Sequence, residues 1–261
     1  MEAEYLKIAL IQSHLVWENP VQNRINFTRK IDAIFEMVDI IVLPEMFTSG
    51  FTMHPKGVCE TMKGETVKWM QLLAKKKDAA IVGSLVIKEN NKFYNRLLFV
   101  YPNGIIDSYT KRHSFTLAGE NELYTSGKEK LIVNYKGFKI RPLICYDLRF
   151  PVWSRISEDY DVLLYVANWP EKRISAWDTL LKARAIENMS YCIGVNRVGF
   201  DANNFDYPGH SAAYDVLGEK ISNMTSNKEQ TEIVTLSKSH IEKLRYSLGF
   251  LNDKDDFNLT K

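Results

Sequence analysis

The sequence predicts an α/β protein, a four-layer α-β-β-α sandwich of two mixed sheets forming one domain over residues 1–261. Three observations predict it. Short all-apolar runs alternate with segments of helical period. The order strand, helix, strand, helix, strand pair occurs twice, with little residue identity between the halves. No Gly/Ser/Pro-rich linker divides them.

Leu6 to Gln12 reads as a buried strand. After Pro20, the apolar residues Ile25, Ile31, Ile34, Phe35 and Val38 follow a helical spacing. Ile40 to Leu43 is a short apolar strand ended by Pro44-Glu45, and Val67, Met70, Leu73 and Ala74 mark a second helix. Lys75-Lys76-Lys77 sits at its end, where cations suit the helix dipole. Ala80 to Ile87 and Tyr94 to Tyr101 are paired strands around a polar turn, closed by Pro102-Asn-Gly104, and Ile105 to Tyr109 is strand-like. In the second half, Lys139 to Cys145 and Asp161 to Ala167 are strands, and Trp177, Leu181, Ala185 and Met189 recur every four residues on a helix. Tyr191 to Val198 and Ser211 to Val216 form the second strand pair, closed by Leu217-Gly-Glu219. Beyond about Ser239 the chain reads as a charged tail suited to packing on a partner subunit.

Bulk properties exclude several classes. Apolar residues make up 45% of the 261, enough for a large core, and the net charge is only +2. No basic stripe interleaved with aromatics points to nucleic acid. No run approaches the roughly 18 apolar residues of a membrane helix, and no secretory leader opens the chain. Cys59, Cys145 and Cys192 are too few and too scattered for a disulfide framework. A reducing cytoplasm is the expected compartment.

Cys145 carries the chemistry. An apolar strand delivers its thiol to a polar break, and Pro151 stands where the next helix opens. Partial positive charge at such a site favours the thiolate. Glu45 directly follows Val42-Leu43-Pro44, so it stands at the carboxyl rim of a strand. Partial loss of water there favours proton uptake by a carboxylate, as a general base requires. Lys111, after the strand-like Ile105 to Tyr109, offers an ammonium to a thiolate or an oxyanion. The backbone N–H of Tyr146 offers a second oxyanion donor. Glu120 and Glu122 are both candidates to place water or the substrate amide. Taken singly, each of these has an ordinary reading: a core thiol, a surface carboxylate, a solvated lysine, a polar loop.

Together they resemble a known signature. Leu43-Pro-Glu45-Met-Phe47, Tyr109-Thr-Lys111-Arg-His113 and Leu143-Ile-Cys145-Tyr-Asp-Leu-Arg-Phe-Pro151 are similar to the Glu–Lys–Cys motifs of the carbon–nitrogen hydrolase (nitrilase) superfamily. Tyr165-Val-Ala-Asn-Trp-Pro170, Ala183-Arg-Ala-Ile-Glu-Asn188 and Gly209-His-Ser211 extend the likeness over nearly the whole chain. The runs around Cys145 and Trp169 most resemble its bacterial omega-amidase branch. The resemblance implies the sandwich, a homodimer packed through helices, no cofactor and no metal. Its second glutamate maps best to Glu120, with Glu122 open. It also implies the reaction. Glu45 deprotonates Cys145, the thiolate attacks a primary amide, Lys111 and Tyr146 hold the oxyanion, and water releases the acid from a thioester.

For an omega-amidase the substrates are 2-oxoglutaramate and 2-oxosuccinamate, whose carboxylate needs a cation. Arg149 and Arg173 are the candidates, each with an internal ion pair as the alternative, Asp147 being a ready partner. Phe115 and Trp169 are candidate pocket walls. An amidase of deaminated glutathione or N-carbamoyl substrates would use the same triad. A non-catalytic interaction protein on this scaffold would carry an ordinary thiol at Cys145. A nitrile hydrolase fits the surroundings of Cys145 less well, and the synthetase-linked and membrane acyltransferase types would need further domains or spans. Metal and serine hydrolysis have little support: His14, His54, His113, His210 and His240 are dispersed, with no His-Glu-x-x-His and no Gly-x-Ser-x-Gly.

Overall fold

A computed structural model describes residues 3–259. In chain order its elements are β1 (Tyr5–Gln12), α1 (Pro20–Asp32), β2 (Ile40–Val42), α2 (Pro55–Val58), α3 (Glu65–Lys77), β3 (Ala80–Glu89), β4 (Lys92–Val100) and β5 (Ile106–Thr110). Then come α4 (Glu120–Leu123), β6 (Val133–Tyr135), β7 (Phe138–Ile144), α5 (Pro151–Ser154), β8 (Val162–Ala167), α6 (Ile174–Asn188) and β9 (Tyr191–Asn196). The chain closes with β10 (Val198–Phe200), β11 (Asp206–Pro208), β12 (Ala212–Tyr214), β13 (Gln230–Ser237) and α7 (Lys238–Leu248).

Two mixed sheets form, in the orders β13-β1-β2-β3-β4-β5 and β12-β9-β8-β7-β6. Strand alternation makes the layers. Ile8 and Leu10 of β1 face inward with Ile40, Val42 and Phe99, against Ile140, Val162 and Leu164 of the second sheet. Their neighbours Ala9 and Ile11 face outward, onto Phe27 and Ile31 of α1 and Val67, Met70 and Leu73 of α3. Helix α6 covers the second sheet through Trp177, Leu181 and Ala185. Gly194 of β9 leaves room for it, since a Cβ there would lie 2.6 Å from Leu181 and Trp177. Each fully buried Leu, Ile or Phe contributes about 1.5–3 kcal/mol, so both interfaces are strongly held. The α-β-β-α sandwich is the observed architecture.

Local chemistry explains the boundaries. Asn90 and Asn91, both with positive φ, make the two-residue turn between β3 and β4. Asn19 caps α1 by accepting from the Gln22 N–H, and Pro20 opens the helix. Pro151 opens α5 as the sequence suggested.

Three expectations need correction. Helix α1 stops at Asp32, because its buried stripe is Asn23, Phe27 and Ile31. Ile25 on the helix is 41% and Phe35 beyond it 96% exposed, while Ile34 and Val38 are buried from non-helical chain. The strand read as Tyr191 to Val198 ends at Asn196, and Val198 starts a separate hairpin with β11. The stretch read as a charged tail beyond about Ser239 is largely helix α7, which follows β13, a strand antiparallel to β1 along its whole length. Helix α7 then docks on its own chain, burying Ile241 and donating from Arg245 to the carbonyls of Tyr160 and Met189.

Candidate active site

Five strands running in one sense end at the same rim, and each delivers a polar residue there. Glu45 follows β2, Lys111 follows β5, Cys145 follows β7, Asn168 follows β8, and Asn196 closes β9. Pairing of β7, β8 and β9 is parallel, as is that of β1, β2 and β3, which places carboxyl ends together.

Local bonds fix each group. The Lys111 N–H donates to the Asn95 carbonyl at 2.9 Å, extending the ladder past β5. Cys145 adopts φ +44°, a left-handed conformation rare for a side-chain-bearing residue, and opens a five-residue helical turn. Asp147 holds that turn: its carboxylate accepts from the Ile144 N–H at 3.0 Å and the Tyr109 hydroxyl at 2.8 Å. It also accepts from the His113 N–H at 3.0 Å and lies 2.8 Å from His113 Nδ1. The end of β7 is thereby tied to the end of β5, and the thiol to the lysine.

The four central groups meet in one buried cluster. Lys111 Nζ lies 2.9 Å from Glu45 Oε1 and 2.9 and 3.0 Å from the two Glu120 oxygens. Asn95 Nδ2 donates to Glu45 at 2.7 Å. The Asn168 N–H donates to the other Glu45 oxygen at 2.9 Å, and the Phe115 N–H to Glu120 at 2.6 Å. The Cys145 thiol faces the Asn168 carbonyl at 3.8 Å and lies beside the Glu45 carboxylate.

Charge balance follows from this packing. Burial works against the Lys111 ammonium, but Glu120, Glu45 and Cys145 outweigh it and hold its pKa above the ordinary lysine range. Burial, opposed by Lys111 and aided by Glu45, raises Glu120. Burial and then the Glu45 carboxylate push the Cys145 thiol well above its usual range, with Lys111 opposing. The local positive charge expected to favour the thiolate is thus opposed by burial and by Glu45. Desolvation and the adjacent carboxylate outweigh both the lysine and any helix-end field, so the resting sulfur keeps its proton. Alkylation of Cys145 by iodoacetamide is accordingly expected to keep rising with pH through and beyond about 8.5, the ordinary thiol pKa. A plateau in rate below pH 7, followed residue by residue with mass spectrometry, would contradict it.

The cluster opens into a cavity of about 550 Å³. Tyr146, Arg149, Phe115, Trp169 and Arg173 all line it with Cys145. The structure thus brings together every site residue the sequence singled out, except Glu122, which is exposed while Glu120 meets Lys111. Arg149 lies 5.0 Å over the Trp169 ring, and Arg173 lies 5.0 Å over Phe115. Neither guanidinium meets a carboxylate among the described residues, unlike those of Arg96, Arg184 and Arg245. The suspected Asp147–Arg149 pair is absent because Asp147 is committed to β5 and β7.

Sequence reasoning missed Asn95, gave Asn168 no role, and overlooked Phe51, whose ring lies 5.0 Å from the Lys111 ammonium. A signal existed for Asn95: a lone amide in an apolar strand is buried and hydrogen-bonded more often than idle. It also missed the β10–β11 hairpin, which places Asp201, Asn203 and Phe205 on the cavity wall. Among the described residues no helix is long and apolar enough to cross a membrane.

Comparison with known proteins agrees with this geometry. Residues 7–246 match the carbon-nitrogen hydrolase family model. The chain is 42% identical to omega-amidase YafV of Yersinia enterocolitica, over 97% of this chain and 98% of that protein. It is 32% identical to the 2-oxoglutaramate amidase of Bacillus subtilis, over 82% of this chain and 85% of that protein. Among solved structures, XC1258 of Xanthomonas campestris, a CN-hydrolase superfamily protein with an arsenic adduct in its active site, superposes with a TM-score of 0.95. That pair is 38% identical, covering 98% of this chain and all of the other. By its motifs, its fold and its matched length, the chain belongs to the carbon–nitrogen hydrolase family.

Proposed function

We propose that the chain is an omega-amidase, hydrolysing the ω-amide of 2-oxo dicarboxylate monoamides such as 2-oxoglutaramate and 2-oxosuccinamate. One observation carries this reading. The buried Glu45–Lys111–Glu120 cluster and the Cys145 thiol open on a cavity whose other charged groups include two guanidiniums without carboxylate partners. The 42% identity to an omega-amidase supports it.

Glu45 takes the Cys145 proton as sulfur attacks the amide carbon, so proton removal and bond formation occur together rather than from a standing thiolate. Charge moving onto the amide oxygen is met by the Lys111 ammonium and the Tyr146 N–H. Each such donor is worth about 10² to 10³ in rate. Glu45 returns the proton to nitrogen, ammonia leaves, and a Cys145 thioester remains. Water then adds to the thioester, giving its proton to Glu45, while Glu120 holds Lys111 and orients the incoming nucleophile. Collapse of that adduct frees the acid and restores the thiol. Arg149 and Arg173 receive the substrate carboxylate, between walls formed by Phe115 and Trp169. We further propose that residues 1–261 act as one domain, as a homodimer in the cytoplasm, with no cofactor.

Ammonia release from 2-oxo acid amides, simple aliphatic amides, N-carbamoyl amino acids, deaminated glutathione and nitriles tests the assignment. The 2-oxo dicarboxylate monoamides are expected to give the highest kcat/KM by at least about tenfold, the scale of one well-placed charged contact. A higher value for a carbamoyl or glutathione-derived substrate would replace this reading.

A further inference from the structure

Away from the Cys145 cavity, three side chains from separate segments form a second chemical centre. Asp178 lies on α6, His210 on the loop between β11 and β12, and Ser226 on the turn before β13. His210 Nδ1 lies 2.9 and 3.1 Å from the two Asp178 oxygens, and its Nε2 lies 2.6 Å from Ser226 Oγ. None of the three lines the Cys145 cavity. We infer that Ser226, served by His210 and Asp178, is a second nucleophile that takes the acyl group of small activated esters and passes it to water.

Hydrogen-bond chemistry sets the roles. A carboxylate only accepts, so in the neutral imidazole the proton sits on Nδ1, and Nε2 keeps its lone pair toward the Ser226 hydroxyl. The order carboxylate, imidazole, hydroxyl is the one that activates serine on unrelated folds. The backbone sets these groups in place without help from the His210–Ser226 bond. Gly209 and His210 both have positive φ, +80° and +57°, and the His210 carbonyl accepts from Trp177 Nε1 at 2.8 Å. Buried Gln12 clamps both loops. Its Oε1 accepts from the Ser211 N–H at 2.9 Å, and its Nε2 donates to the Thr225 and Lys228 carbonyls, on either side of Ser226, at 2.8 and 2.9 Å. The Asn227 N–H adds a bond to the Pro208 carbonyl at 2.8 Å. Ser211, next to His210 in the chain, is buried, and its Oγ accepts from the Asn196 N–H, so it is not the nucleophile. No Gly-x-Ser-x-Gly marks the centre, because its serine and histidine come from loops 16 residues apart. The Ser226 N–H has no acceptor among the described residues, which leaves it available to an oxyanion.

The step balances as follows. Ser226 Oγ bonds to the ester carbon while its proton passes to His210 Nε2. The bond from that carbon to the leaving oxygen breaks, and the proton goes to that oxygen. Water then adds to the acyl carbon, giving a proton to Nε2. The Oγ–carbon bond breaks, the proton returns to Oγ, and the carboxylic acid departs. Ser226 is exposed and His210 partly so, which suits a small ester with a good leaving group. An amide, whose nitrogen must be protonated as it leaves, is left to the enclosed Cys145 site.

Hydrolysis of p-nitrophenyl acetate tests this, in a Cys145→Ala background because that thiol is itself an acyl acceptor. Within it, Ser226→Ala and His210→Gln are each expected to lower p-nitrophenol release by at least about tenfold. That is less than the roughly 10² to 10⁴ of an enclosed general base, since water competes at the surface. Asp178→Asn should lower it as well, because an amide no longer requires the proton on Nδ1. Peptide mass spectrometry of acid-quenched enzyme should find acetyl on Ser226. Release unchanged in Ser226→Ala would show the imidazole acting alone and overturns the inference, as does acetyl carried only by other residues.

Discussion

Cys145→Ala is expected to lower turnover of 2-oxoglutaramate by at least about 10⁴-fold while leaving the fold intact. The sulfur forms the only covalent bond between enzyme and substrate in the proposed reaction, and it lies beside Glu45, its proton acceptor. Residual rate should reflect the oxyanion donors acting on direct attack by water, so removing Lys111 as well should lower it further. Structural damage is expected to be small. The thiol makes a weak 3.8 Å contact to the Asn168 carbonyl, and alanine keeps the backbone at φ +44° with a smaller side chain. Thermal unfolding followed beside ammonia release separates the two effects. Activity within tenfold of the unaltered enzyme would exclude the thioester route.

Lys111→Met should have the second-largest effect, and on two quantities at once. Lys111 is the cation bonded to both Glu45 and Glu120, which are buried. Without it two carboxylates face each other in a dry site, and loss of one partner of a buried ion pair costs about 3–5 kcal/mol. Turnover should fall by about 10³-fold or more, since the oxyanion loses its cation and Glu120 its anchor. The stability loss should depend on pH with a definite sign. Burial raises Glu120 and Lys111 opposes that rise, so its removal moves the folded-state pKa further above the unfolded value. A raised carboxylate favours the folded state below its unfolded pKa, and that contribution fades as pH climbs through the folded pKa. The melting temperature deficit of Lys111→Met should therefore be smaller at pH 5 than at pH 8. An equal deficit at both pH values would show that Lys111 does not hold down the rise of the Glu120 carboxyl.

Much of this site was legible in the residues. Glu45, Lys111 and Cys145 each follow an apolar strand, and a side chain just past a strand's carboxyl end is delivered to the rim by backbone geometry alone. Both sheets were legible because strands buried on both faces, as β8 is throughout and β1 is over most of its length, read as continuous apolar runs. What failed depends on contacts between distant segments. β13 went unassigned: it lies on β1 through pairs such as Ile8 with Val234, more than two hundred residues apart. The end of α1 was misplaced because Ile34 and Val38 are buried by non-helical chain. The protonation state of Cys145 was misread because a helix-end field is local and visible in sequence, whereas desolvation and the approach of Glu45 arise only in the folded cluster. Asn95 and Asn168 went unassigned likewise, their value lying in the Glu45 carboxylate that they meet from the same sheet and from the opposite one.

Acid-quenched peptide mass spectrometry during turnover of 2-oxoglutaramate tests the central claim, that an uncharged sulfur, its proton acceptor and a flanking ammonium act on one substrate carbon. A 2-oxoglutaryl group should appear on the peptide carrying Cys145 after substrate is added and vanish once it is exhausted. An acyl group on any other residue, or Cys145 unmodified from milliseconds to exhaustion, would contradict the mechanism.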